Sequence, residues 1–235
     1  MAPCHFCYRQ LGAGPRLVRS KEHIFAQWPL EDLEIADSEI QATHFSSAGD
    51  VKSTRHHTMR NLVAGGVCAD CNNGWMSQLE TRVRRILLAL MTNDRTVVDL
   101  APDERELLAR WTLKTCYALN LGSNFEKTIP EAHRRALLAG VPNDVCVCAQ
   151  QHHETAKFNW IQSSTWMIVG RNAGDRARLT EISKTSYKIA LQLGKLLVVV
   201  AYWAGSGDRL LVQRGIHVPL WPASGPISFH KDALP

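Results

Sequence analysis

The sequence lacks any apolar run long enough to cross a bilayer. The longest, Leu196 to Ala204, falls far short of the roughly 20 residues a membrane helix needs and reads as a buried strand. No basic start followed by an apolar stretch opens the chain, so no secretory leader is expected. Internal repeats and low-complexity tracts are missing too, which argues against solenoids, propellers and tail-like segments. An even cysteine count is also missing. Seven cysteines leave a disulfide framework incomplete, whereas four metal thiolates and three free thiols suit a reducing compartment. A soluble, cytoplasmic protein with no membrane partner is the expectation.

What is present is ordinary for a folded protein. The chain has 235 residues, 45% hydrophobic and 21% charged, enough for one large domain or two small ones. A sizeable core is available, so a metal need not stabilise the whole chain. The formal net charge of +5 is compatible with a nucleic-acid partner without demanding one. Charge is unevenly placed. Residues 31–50 hold six acids and no Lys or Arg, whereas Lys52, Arg55, Arg60, Arg82, Arg84 and Arg85 follow. Either these are solvated loop and helix faces, or the basic segments meet phosphates while the acidic loop stays away.

Residues 1–92 read as one unit. Cys4-x-x-Cys7 opens a short hairpin with turn signals at Gly12 and Gly14-Pro15. Residues 16–25 suit a strand, and 26–58 read as a long irregular polar insertion, a kind of loop that is often functional. A helix is expected from Asn72 or Asn73, with Leu79, Val83, Ile86, Leu87 and Leu90 at helical spacing. It should break near Asn93-Asp94. The second unit, 101–235, begins with a helix over about 103–120, then a shorter one after Pro130 that ends near Gly140. Strand-like segments follow at 144–150, 158–169, 177–183, 186–193, 195–203 and 209–213, with Gly194-Lys195 at a tight turn. The fold class is therefore α+β, a zinc-stabilised module followed by helices and a mainly antiparallel sheet.

Cys4-x-x-Cys7 and Cys68-x-x-Cys71 carry the strongest chemical signal. A two-residue gap lets both sulfurs of a pair reach one ion, and four thiolates satisfy tetrahedral zinc at about 2.3 Å. Cys116 suits a helix core. Cys146-x-Cys148 with His152 and His153 is not read as a second site, because the two thiols are expected on opposite strand faces. Glu22-His23 lies between the zinc pairs. His suits general-base work near neutral pH, and a carboxylate beside it can hold a hard divalent cation. Asn72, directly after Cys71, is either a metal ligand or a helix N-cap.

Taken together, Cys4-x-x-Cys7, Ser20-Lys-Glu-His-Ile-Phe, Asn61-Leu-Val and Val67-Cys-Ala-Asp-Cys-Asn-Asn-Gly-Trp resemble the HNH, or ββα-metal, endonucleases, in the branch held by a four-cysteine, treble-clef-like zinc core. The resemblance covers about the first 80 residues. It implies a hairpin and helix with a Mg²⁺ or Mn²⁺ ion between them. It implies His23 as the base that activates water, and Glu22 and Asn72 as ligands of that ion. Asn61 would fix the loop that orients the His. Two positions depart from the commoner pattern: Glu22 stands where Asp is usual, and Asn72 where His is frequent. Trp75-Met-Ser-x-Leu-Glu and Trp111-x-x-Lys114 also look like bacterial proteins that carry such a head.

The implied activity is metal-dependent hydrolysis of DNA, with RNA as a second substrate class and a homodimer as an option. Arg55, His56 and His57 are spare candidates for gripping the scissile phosphate, or simply part of a polar loop. A non-catalytic zinc-supported nucleic-acid binder is an alternative, since one fold supports both roles. So is a defence nuclease held in check by the second unit. Trp160, Trp166 and Trp203 could line a groove there or fill a core.

Overall fold

The computed structural model describes residues 2–45, 50–123, 125–152, 156–163, 181–182, 184–205, 210–213, 217–221 and 227–230. It is an α+β structure with mainly antiparallel sheets. Strand β1 (Arg19–His23) pairs antiparallel with β4 (Val63–Cys68), setting Arg19 opposite Cys68 and His23 opposite Val63. Between them come helix α1 (Gln27–Asp32), strands β2 (Glu39–Phe45) and β3 (Val51–Thr58), and a 3₁₀ turn at Met59–Asn61.

The expectation of an irregular insertion over 26–58 is corrected here. β2 and β3 form an antiparallel hairpin running from Glu39 opposite Thr58 to Phe45 opposite Val51. Its residues are mostly exposed or half-exposed, so the apolar alternation that marks a strand is missing. The two strands satisfy each other's backbone groups instead, and among the described side chains of the hairpin only Ile40 packs against the core.

The helix after the second cysteine pair also starts earlier than expected. Helix α2 (Ala69–Cys71) is capped by Cys68, whose Sγ accepts the Cys71 N–H at 3.4 Å. A π-turn at Asn72–Met76 leads into α3 (Ser77–Thr92). Asn72 is thus not an N-cap. It opens the π-turn, where one extra residue shifts the helical phase. Asn93, at φ 67°, ends α3 in the left-handed conformation that Asn tolerates.

Helix α4 (Pro102–Gly122) runs through the middle of the molecule. The expected amphipathic pattern is widened. Apart from Arg110, every residue from Leu108 to Asn120 is buried, including Thr112, Lys114 and Thr115. The reason is location: α4 packs on α3, on β4 and on the main sheet, so this stretch has no solvent face. A single apolar cluster takes in Cys4, Val67, Leu87, Trp111, Ile189 and Val200.

After the short α5 (Glu131–Ala136) come β5 (Cys146–Gln151), β6 (Phe158–Ser163), β7 (Tyr187–Leu193) and β8 (Leu196–Tyr202). They are followed by β9 (Leu210–Gln213), β10 (Val218–Trp221) and β11 (Ile227–His230). The five-stranded antiparallel sheet has the order β10-β5-β8-β7-β6, which leaves β6 at one edge, and β9 pairs with β11 in parallel. Gly194 turns β7 into β8 at φ 55°, and a Cβ there would sit 2.5 Å from the Met91 carbonyl oxygen. The strand expected over 177–183 and residues His153 and Trp166 fall mostly or wholly outside the described residues. No helix among the described residues is long and apolar enough to cross a membrane.

One expectation about the sheet is overturned. Cys146 and Cys148 do not lie on opposite faces. Their Sγ atoms are 3.4 Å apart, because residues two apart on a strand share a face.

Candidate metal centre and adjoining site

The two cysteine turns meet across β1 and β4. Cys4 N donates to Arg9 O at 2.9 Å, and Tyr8 takes φ 59°, which turns the chain sharply enough to aim Cys4 and Cys7 together. Gly66 lets β4 pass close beneath: His5 N donates to Gly66 O at 2.9 Å, and a Cβ on Gly66 would lie 2.5 Å from the His5 ring. Arg9 and Asp70 form an ion pair that ties one turn to the other.

The result is one cluster of four thiols, Cys4, Cys7, Cys68 and Cys71, whose Sγ atoms all lie within 4.8 Å of one another. Cys4 and Cys71 are 3.9 Å apart, and Cys7 and Cys68 are 3.7 Å apart. A tetrahedron with metal–sulfur bonds of about 2.3 Å has edges of about 3.8 Å, so the cluster has the size that zinc requires. Backbone donors add to the fit: Cys68 N points at Cys4 Sγ and Cys71 N at Cys68 Sγ, both at 3.4 Å. Such donors favour the thiolate. Contact with Cys71 pulls the Cys4 thiol down to about 4, and Cys71 is pushed up in turn. The cluster could hold a zinc ion through all four residues.

Glu22 and His23 sit at the far end of β1 from this cluster, on opposite faces of the strand. His23 is exposed. Its Nδ1 lies 3.1 Å from Arg60 O and 3.2 Å from the Gln27 side-chain amide. A neutral imidazole that gives its Nδ1 proton to a carbonyl keeps its lone pair on Nε2. The carbonyl itself is well placed. Arg60 N donates to Ala36 O at 2.9 Å, and its guanidinium meets Asp37 at 3.0 Å. Asn61 donates to Thr58 Oγ1 at 2.7 Å within the same turn.

Glu22 points inward and is 4% exposed. Its Oε1 lies 2.7 Å from Lys114 Nζ, and Lys114 also meets Glu80 Oε1 at 2.6 Å. Burial pushes the Glu22 carboxyl up, and Lys114 pulls against it. For Lys114, burial pulls downward, but the two carboxylates prevail and its ammonium is raised. Two carboxyl groups, buried Glu22 from β1 and half-buried Glu80 from α3, thus meet the one buried ammonium of Lys114 from α4. Spacing along the chain gave no sign that Glu80 and Lys114 would join Glu22. The only trace was the pair of short patterns ending in Leu79-Glu80 and Trp111-x-x-Lys114.

Asn72 is half-buried at the start of the π-turn, and no hydrogen bond or ion pair links it to Glu22 or His23. A carboxylate and an amide oxygen are the donors a hard divalent cation prefers. In this arrangement, however, the Glu22 carboxylate is shared with Lys114. Arg55 and His57 lie on one face of β3 and His56 on the other, because alternate residues alternate faces. No family model, no curated protein and no solved structure matches the chain.

Proposed function

We propose that the protein is a metal-dependent endonuclease of the HNH type, cutting DNA phosphodiester bonds with His23 as the base. The observation that supports this most is the His23 ring. It stands exposed at the end of a strand registered against Cys68, with Nδ1 against the Arg60 carbonyl, a contact that leaves Nε2 to accept a proton when Nδ1 is the donor. His23 Nε2 takes the proton from water as the oxygen attacks phosphorus. Arg60 O holds the ring in the required tautomer as it charges, and Asn61 and Asp37 hold the turn that carries this carbonyl. A divalent cation would supply charge stabilisation for the phosphate and the leaving 3′ oxygen, but Glu22, bonded to Lys114 on the strand face away from His23, is not placed to hold it in this arrangement. The zinc cluster serves as scaffold.

His23→Ala should lower plasmid nicking in magnesium or manganese by about 10²–10⁴-fold, with zinc content and circular dichroism unchanged. Cleavage by that variant at the parent rate sinks the assignment. One observation favours a second reading, a zinc-supported binder without catalysis: the Glu22 carboxylate is engaged by Lys114. DNA retention with no cleavage in any divalent metal would select it.

A further inference from the structure

A cleft of about 700 Å³ opens between the β2–β3 hairpin and the edge strand β6. One hairpin face forms a wall, through cross-strand pairs that share that face: Ile40 with His57, Ala42 with Arg55 and His44 with Ser53. β6 forms the opposite wall with Trp160 and Gln162, and Phe125 stands beside His44 with ring centroids 5.8 Å apart. Ile24 and Leu62 line the inner end. They are the residues directly after His23 and Asn61.

The lining has a definite chemistry. Among the described residues it contains no Asp or Glu, while Arg55, His57 and His44 supply donors or positive charge. Flat apolar surface comes from Trp160, Phe125 and Phe158. The amide of Gln162 is held ready: its Nε2 donates to Ser123 Oγ at 2.9 Å, and its Oε1 accepts from Asn120 at 3.0 Å. Ile161, on the same strand, is 60% exposed at the mouth. Aromatic faces suit a base, fixed amides and hydroxyls suit its edges, and an Arg on one wall suits a phosphate. The volume falls within the range of small-ligand pockets, roughly 300–1,000 Å³.

We infer that this cleft binds a nucleoside phosphate unit, its base between Trp160 and the Phe125–His44 side and its phosphate at Arg55 and His57. Two sources share this chemistry: a nucleotide of a single strand on its way to His23, or a free nucleotide. The strand source rests on the cleavage reading, and the free-nucleotide source does not.

Calorimetric titration of the full chain tests the inference, with dAMP, dTMP, AMP and GMP, with their nucleosides, and with a short oligo-dT. Binding is expected for nucleotides or for the oligonucleotide. Nucleosides should bind more weakly. Arg55→Ala should cost about ten-fold or more, the size of one charge-assisted hydrogen bond, and Arg55→Glu should abolish binding. Arg55 is exposed on the hairpin, so both variants should fold. Trp160→Leu, checked by circular dichroism, should weaken binding through lost stacking. Oligo-dT binding alone assigns the strand source, and mononucleotide binding alone the free one. Mononucleotide binding is read without cleavage, so a failed cleavage assay leaves this result standing. If no probe binds the parent, or if both Arg55 variants bind as well as the parent, the inference is overturned.

Discussion

At the amino-terminal end, four thiols bring the Cys4–Cys7 turn together with the end of β4 and with α2. At the other end, the five-stranded sheet closes on α4 through side chains such as Val147, Ile189, Leu191, Val198 and Val200, each at most 1% exposed. The first region gets its geometry from a few specific atoms, the second from many interchangeable contacts. The two also bury polar groups differently. At the first, buried Glu22 and Lys114 and half-buried Glu80 are ionisable groups gathered from three elements. The sheet end buries a neutral chain, in which Tyr117 and Tyr187 hydroxyls meet at 2.8 Å and Tyr187 reaches His133 at 2.9 Å. Regions built from few atoms fail when one atom is lost, whereas regions built from many yield gradually.

The sharpest way to break this contrast is to remove one thiol of the cluster. With zinc in the cluster, as proposed, Cys68→Ser or a strong chelator should remove up to about 10 kcal/mol of zinc-binding free energy. Amide exchange should then rise first in β1, β4 and α2, and last in β7 and β8. Simultaneous loss everywhere would show that the two ends do not differ in this way. Lys114→Ala comes next. It leaves the buried Glu22 and the half-buried Glu80 without their counter-charge and should cost about 3–5 kcal/mol in denaturant unfolding. Adding Glu22→Gln should recover part of that loss, and no recovery would deny the coupling.

The smallest effect is pH. Burial holds His133 below its ordinary value of 6.5, against the pull of Asp144. The unfolded chain therefore binds that proton more readily. Stability is full above about pH 6.5 and falls as the pH drops below it, by at most about 1.4 kcal/mol per pH unit. His133→Gln should flatten that slope in urea titrations at stepped pH, and an unchanged slope would assign it to other groups.

Much of this was legible in the chain. The matched cysteine spacing places the thiol cluster, because two-residue gaps constrain sulfur positions locally. Leu79, Val83, Ile86 and Leu90 mark α3, and Gly194 marks the β7–β8 turn, because period and backbone freedom are local too. The β2–β3 hairpin stayed hidden, since its strands hold each other and bury little. The inward turn of Glu22 stayed hidden for a different reason. Its partners lie on helices far along the chain, and nothing local encodes a charge pairing across three elements. The cleft was equally out of sight, although Arg55, His57 and Trp160 each stood out singly.

The position of Lys114 has a practical consequence. A fragment ending at Thr92 keeps all four cysteines, His23 and Asn72, yet it retains Glu22 and Glu80 without the ammonium that pairs with both. It also loses the helix against which α3 and β4 pack. The head is thus no self-sufficient cassette. Grafting it onto another protein would require bringing along α4, or a helix that delivers a cation to the same place.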